Sequence, residues 1–250
     1  MLKKTIGSLE YYAFANLDKF SFLRQAVLTR RSPAGRDWTL AFGETADPAE
    51  VAENIREASR ILGLSYPAFV RQVHGPKILF LEPGDVYQPQ TPEETKQGYD
   101  AIVAGGGQSL LIKLADCQGI IVLDPASRAL ALIHNGWRGS VQNIVGLTVR
   151  AMAEKFSSAP SGFLAAVSPS LGPCCAEFKD YKTLLPESFL AFKDDRNHFD
   201  FPAITRKQLT EAGIPAENIE SADVCTRCSP EFYSHRRGEA GRFAVLAGIV

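Results

Sequence analysis

The sequence predicts an α/β fold: a single domain in which a mixed sheet is covered by helices, not the purely parallel sheet of a Rossmann fold. Three observations carry this expectation. Short apolar runs of strand composition crowd the middle third, at 109–114, 119–123 and 129–133. An apolar repeat of helical spacing, Ile144, Thr148, Met152 and Phe156, follows them directly. The turn at 124–127 lies in a link between the second run and the third that is too short for a parallel crossover, which implies an antiparallel pair.

From the N-terminus, 11–30 mixes aromatic and β-branched residues in the manner of one or two strands, and Ser32-Pro33-Ala34-Gly35 turns the chain. Val51, Ile55, Ala58 and Leu62 share one face of a helix that Asp47-Pro48 opens and Gly63 closes. A short strand is expected over 69–73, ended by His74-Gly75-Pro76. The three middle strands are short and mainly apolar, which suits a sheet covered on both faces. One amphipathic helix is expected over 141–156 to cover them. Residues 163–167 read as a further strand, 181–200 as an irregular aromatic-rich stretch, 203–212 as a helix stopped by Gly213, and 243–250 as a core strand. No low-complexity linker or internal repeat divides the chain, so 1–250 reads as a single metal-dependent enzyme domain once the site residues below are added.

A chain of 250 residues buries about 70 to 75% of the surface its unfolded form exposes, enough for one extended core without staples. Its 27 basic and 28 acidic side chains alternate in sign along most of the sequence, which argues against nucleic acid as a partner. No uncharged apolar stretch of about 18 residues occurs, and no signal-like apolar run follows the first lysines, so neither a membrane nor an export route is expected and a cytoplasmic location is. Five cysteines are too few for a disulfide framework and leave thiols available for chemistry.

His74 follows an expected strand, Cys117 sits between two, and His134 follows another. A strand end holds its backbone rigid while aiming a side chain into a cleft. Two imidazoles and a thiolate suit zinc, or copper, and leave a fourth position for water or substrate. The separations of 43 and 17 residues match no short metal motif. The same side chains also suit a Cys117 nucleophile with His74 or His134 as its base, or simply buried residues of a satisfied core.

Three motifs narrow the choice. Arg-Gln-Val-His-Gly at 71–75, Ala-Asp-Cys at 115–117 and His-Asn-Gly-Trp-Arg-Gly at 134–139 closely resemble the multicopper polyphenol oxidase (laccase) family of the YfiH type, whose members are regarded as purine nucleoside phosphorylases. Residues 51–56, Leu171-Gly172-Pro173, Cys225-Thr226, Ser234-His235-Arg236-Arg237 and Gly241-Arg242 extend the resemblance over nearly the whole chain. It implies a zinc ion on His74, Cys117 and His134, with copper the other metal the family's label suggests. It also implies phosphorolysis of adenosine, inosine and methylthioadenosine, deamination of adenosine, and a monomer or weak homodimer whose partners are purine nucleosides and phosphate. Two other functions stay open, a copper-dependent phenol oxidase and a metal-binding protein without catalysis. Multicopper oxidases hold their metals largely with histidine, and four histidines in the entire chain are too few for that machinery.

Arg71, Arg138 and Arg236 are the candidate phosphate binders, because a guanidinium presents a planar fork of donors. Asn135 stands where the family usually has alanine and puts an amide beside His134, to orient it, contact substrate or face solvent. Asp116 is read either as orienting a histidine or a metal-bound water, or as a strand-end cap. His235 is read as a substrate contact or proton carrier, and Cys117 as catalytic as well as ligating. Asp100 carries less weight, since Tyr99-Asp100-Ala101 departs from the family's alanine-aspartate-glycine. Gly43-Glu44, Lys113 and Gln118 also depart from the family around the pocket. Cys225 and Cys228 have Cys-x-x-Cys spacing, but their loop-like flanks and the adjacency of Cys174 to Cys175 favour ordinary thiols over a redox pair or second metal.

Overall fold

The computed structural model describes residues 1–43, 46–82 and 84–250. In chain order the strands are β1 (Leu2–Ile6), β2 (Leu9–Ala13), β3 (Leu23–Leu28), β4 (Ile78–Leu81), β5 (Ala101–Ala104), β6 (Ser109–Leu114), β7 (Gln118–Asp124), β8 (Ala129–Asn135), β9 (Leu164–Val167), β10 (Ile219–Ser221) and β11 (Phe243–Ile249). The α-helices are α1 (Ala15–Asp18), α2 (Pro48–Ile61), α3 (Trp137–Val141), α4 (Ile144–Phe156), α5 (Tyr181–Leu184) and α6 (Phe201–Glu211).

The α/β class is observed, with the strands divided between two sheets. One is antiparallel throughout, in the order β1-β2-β3-β11-β6; the other is mixed, in the order β10-β9-β7-β8-β5-β4. Alternation along each strand assigns every side chain to a layer. Ile121, Leu123, Leu130 and Leu132 of the mixed sheet pack against Ile112, Leu114, Val245 and Ala247 of the antiparallel one. Their neighbours Ile120, Val122, Ala131 and Ile133 face Val145, Val149 and Met152 of α4 and Leu209 of α6. On the far side, Leu28, Leu111 and Leu246 receive Val51, Ile55 and Ala58 of α2. The layers thus run helix, sheet, sheet, helix, and β7 and β8 are buried along their full length because both their faces are covered.

The link over 124–127 makes the expected antiparallel β7–β8 pair, in a register that sets Gly119 opposite His134. Asp124 Oδ1 accepts from the Ala126 N–H at 3.0 Å and closes the turn. Helix α2 begins where Asp47 accepts from the Ala49 N–H, a cap that contributes about 1 kcal/mol.

Two expected elements differ. Residues 69–73 form no strand, only single bridges from Ala68 to Leu110 and from Arg71 to Gln97. The Gln72 side chain replaces a ladder there, donating to Lys113 O at 2.8 Å and accepting from Lys113 N at 3.0 Å. The single helix expected over 141–156 is two, because Asn143 takes a left-handed conformation (φ 52°) and caps α4 through the Gly146 N–H. The apolar repeat Ile144, Thr148, Met152 and Phe156 lies wholly within α4, and α3 packs beside it. Strands β1, β4, β5 and β10 were not expected; β1 is short and mostly exposed, with no buried face to impose alternation. Among the described residues no helix is long and apolar enough to cross a membrane.

Candidate active site: a donor triad in a basic cleft

Strand β8 decides the direction of two consecutive side chains. His134 continues the face of Leu130 and Leu132, toward the other sheet, and Asn135 continues the face of Ala131 and Ile133, toward the helices. One step beyond the β5–β8 register, His134 meets Asp100: its Nδ1 lies 2.8 Å from Asp100 Oδ1. With Nδ1 engaged as a donor, Nε2 is left to bind a metal.

The same carboxylate builds the turn that presents His74. Asp100 is fully buried and accepts from the N–H groups of Val73, His74 and Gly75, the last two at 2.8 Å. These bonds hold His74 in the left-handed region, at φ 62°, a conformation that a non-glycine residue keeps only where its surroundings enforce it. Asp116, at φ 80°, makes the corresponding kink between β6 and β7 and turns Cys117 inward.

The result is a compact donor set. Cys117 Sγ is 3.7 Å from His74 Nε2, and one donor atom from each of His74, Cys117 and His134 lies within 4.8 Å of the other two. A Cβ on Gly136 would stand 2.8 Å from Cys117 Sγ and 3.0 Å from His74 Cδ2, so the absence of a side chain there makes the room. Among the described residues no fourth His, Cys, Asp or Glu joins the group, the pattern of a site with an open position rather than a closed structural one. Two imidazoles and a thiolate fit a divalent metal of borderline softness.

Electrostatics agree with that use. Burial pushes the Asp100 carboxyl up, but the His134 imidazole and the Gly75 and His74 N–H groups outweigh it and hold it below the usual range. Burial likewise opposes the Cys117 thiolate, yet His134 and His74 draw the thiol down to about 6. His134 is disfavoured as a cation by burial and is carried up to about 9 by Cys117 and Asp100. These shifts favour a thiolate on Cys117 beside an imidazolium on His134, and a divalent cation held by the triad would stand in place of the imidazole proton.

The triad opens on a cleft of about 670 Å³, within the usual size for a small-molecule site. Arg71, Arg138, Arg236 and His235 all line it, as does Arg242. Among the described residues none of these four guanidiniums is paired with a carboxylate. Trp137, Phe178 and Phe201 supply aromatic surface, and Arg138 stacks on Trp137 at 4.2 Å. Lys113 also lines the cleft, where burial lowers its ammonium to about 7 against the opposing pull of Asp100. It donates to Val70 O at 2.7 Å.

Asn135 lines the cleft, with its amide engaged inside the protein: Nδ2 donates to Gln118 Oε1 at 2.9 Å and Thr205 Oγ1 at 3.0 Å while Oδ1 accepts from Ser140. Its amide ties the sheet to α6 and α3. Asp116 orients neither histidine; it accepts from the Thr226 hydroxyl and the Arg236 N–H, both at 2.6 Å, and so anchors the loop that carries Arg236 and His235. The residue given too little weight from sequence is Asp100, whose one linear signal was its partial match, Tyr99-Asp100-Ala101, to the family's alanine-aspartate-glycine. Of the Gly43-Glu44 pair, Gly43 lines the cleft and Glu44 lies outside the described residues.

The sequence profile of the multi-copper polyphenol oxidoreductase laccase family matches residues 26–250. A purine nucleoside phosphorylase from Bacteroides thetaiotaomicron is 28% identical over 255 residues, covering 95% of this chain and 94% of the relative. Purine nucleoside phosphorylase YlmD from Geobacillus stearothermophilus is 31% identical over 218 residues, covering 81% of this chain and 80% of the relative. The crystal structure of YlmD from Geobacillus stearothermophilus matches the fold with a TM-score of 0.85 at 25% identity, over 98% of this chain and 97% of its own.

Proposed function

This chain belongs to the multi-copper polyphenol oxidoreductase laccase family, and from that premise we propose that it is a purine nucleoside phosphorylase whose single domain, residues 1–250, depends on a metal. The observation that carries the reading is one cleft that combines the His74, Cys117 and His134 donors with arginines lacking carboxylate partners among the described residues. The names of the relatives from Bacteroides thetaiotaomicron and Geobacillus stearothermophilus support it. A four-histidine chain is poorly equipped for multicopper phenol oxidation.

A divalent metal on this donor set, zinc in preference to copper, supplies Lewis acidity in the cleft. Arg71, Arg138 and Arg236 offer forked donors that hold phosphate against C1′ of the ribose. Trp137, Phe178 and Phe201 offer ring faces to the purine. As a phosphate oxygen bonds to C1′, the bond from C1′ to the base breaks, its electron pair leaves with the purine, and the base takes up a proton while ribose 1-phosphate forms. His235 and Lys113 are the proton carriers of the cleft, the latter able to exchange near neutral pH. Asp116 acts by positioning the loop of Arg236 and His235. Adenosine, inosine and methylthioadenosine are the proposed substrates. Deamination of adenosine, with water displacing the 6-amino group as ammonia, is proposed as a second reaction in the same cleft.

Adenosine incubated with the purified, metal-loaded protein, with and without phosphate, tests this. Adenine and ribose 1-phosphate that form only with phosphate support phosphorolysis, and inosine formed without it marks deamination. No product from any of the three nucleosides rejects the reading. Cys117→Ala is expected to lose most metal and turnover while staying folded, because a core of this size does not depend on a catalytic metal for stability. A monomer or weak homodimer is proposed, and light scattering across a concentration series checks it.

A further inference from the structure

Far apart in sequence, the pairs Cys174-Cys175 and Cys225/Cys228 meet in space: their four sulfur atoms all lie within 4.8 Å of one another. Cys228 Sγ is 3.7 Å from Cys174 Sγ and 3.5 Å from Cys175 Sγ, and all four residues are free thiols. A disulfide would hold two sulfurs at about 2.0 Å. Four thiolates at about 2.3 Å from one zinc instead stand about 3.8 Å apart along each edge of a tetrahedron. The observed separations are of the second kind. We propose that Cys174, Cys175, Cys225 and Cys228 form a second metal site that takes a structural zinc ion, independent of the His74, Cys117 and His134 centre.

The local backbone is shaped for it. Cys228 and Ser229 donate to Cys225 O at 3.2 and 2.9 Å, curling the Cys-x-x-Cys segment into one tight turn. Cys175 and Ala176 donate to Gly172 O at 2.9 and 3.1 Å, and this second turn brings both adjacent cysteines to the same point, overcoming the poor chelating geometry that adjacency implies in an extended chain. The turns are tied by the Ser170–Cys225 bridge, with Thr226 donating to Ser170 O at 2.9 Å. Gly172 permits the approach: a Cβ there would lie 3.0 Å from Cys225 Cβ and 3.5 Å from Cys174 Sγ.

Binding a divalent cation to four thiols releases four protons to solvent and leaves a net charge of 2− on the site. Arginines brace the carbonyls of both turns, Arg237 while also paired with Glu239 at 2.7 Å. Arg237 Nη1 donates to the carbonyls of Thr226, Arg227 and Ser229, and Arg236 Nη1 reaches those of Cys175 and Glu177 at 3.4 and 3.3 Å. Four protein ligands close the coordination shell, so the ion is structural and not catalytic. It clamps together two loops that each reach the cleft, one through Leu171, which donates to Asp116 O, and the other through Arg236, which donates to the Asp116 carboxylate.

The test uses the full chain carrying Cys117→Ala, in which the four clustered cysteines are the only thiols left. Metal-stripped protein is titrated with Co2+ and, separately, with Zn2+. The expected result is one equivalent bound, with the intense thiolate charge-transfer and tetrahedral d–d bands of a cobalt tetrathiolate, and protection of all four thiols from a thiol reagent. Adding Cys225→Ser and Cys228→Ser should abolish both signals, and if that variant does not fold, the titration of the C117A protein decides alone. Four freely reactive thiols with no cobalt bands overturn the proposal, as does pairwise loss of thiols to disulfides without metal. Neither outcome touches the phosphorolysis reading, which is scored by products.

Discussion

Asp100 and His134 face each other across adjacent strands with carboxylate and imidazole 2.8 Å apart, and the same carboxylate holds the backbone of His74. One buried acid therefore sets the ring of one proposed ligand and the main chain of another. Asp100→Asn keeps one acceptor oxygen but loses the charge and the second acceptor. Metal affinity is expected to fall about 10- to 100-fold, the usual effect of removing such a partner. A chelator competition titration measures it, and unchanged affinity would remove Asp100 from the site.

Gly136→Ala places a methyl 2.8 Å from Cys117 Sγ and 3.0 Å from His74 Cδ2. Gly136 has an ordinary φ of -82°, so the change introduces crowding without backbone strain. The expected outcome is loss of metal from the triad with a stability change of about 1 to 3 kcal/mol, read by metal analysis and urea unfolding of one preparation.

Replacing Arg138 by Gln removes a charged donor that has no carboxylate partner among the described residues. Hydrogen bonds to charged groups contribute about 1.5 to 3 kcal/mol, so KM for phosphate should rise by about 10-fold or more while KM for the nucleoside changes little. Equal effects on both would place Arg138 elsewhere in the reaction.

Lys113 gives a pH dependence of definite sign. Burial holds its folded value at about 7, below the 10.5 of a free lysine. Between those values the unfolded chain carries a proton that the folded chain lacks, so this residue makes stability rise with pH across that window and adds no slope below it. Asp100 is the charged group acting against the shift. Urea midpoints of the wild type compared with Lys113→Met, taken from pH 6 to 10, should converge as pH rises; a constant difference would reject the neutral, buried lysine.

Asn135→Ala separates a structural amide from a substrate contact. It removes the acceptor of the Ser140 hydroxyl and one donor to each of Gln118 and Thr205, which keep their own bond to each other, and an unsatisfied buried group costs about 1 to 3 kcal/mol. A marked fall in thermal midpoint with little change in nucleoside or phosphate KM is expected. A large KM effect at unchanged stability would support the substrate role.

Much of this was legible in one dimension. The short link over 124–127 required an antiparallel β7–β8 pair, because a turn of that length has no other geometry, and α2 carried its own periodicity and cap. His74, Cys117 and His134 could be picked out as chemical residues, and the family by their motifs, although His74 sits on a turn held by Asp100 and not at the end of the strand expected before it. What the tertiary structure decided were relations between segments distant in sequence. Gln72 substitutes for a strand only because Lys113 lies beside it. Asp100 matters because β5 brings it to both His134 and the turn at His74. Asn135 faces the helices and His134 the other sheet because β8 has a different layer on each face. The four cysteines form one cluster only where Gly172 lets two loops touch. Local propensity, spacing and motif are properties of the chain, whereas burial, charge pairing and donor geometry depend on which distant atoms the two packed sheets bring within a few ångströms.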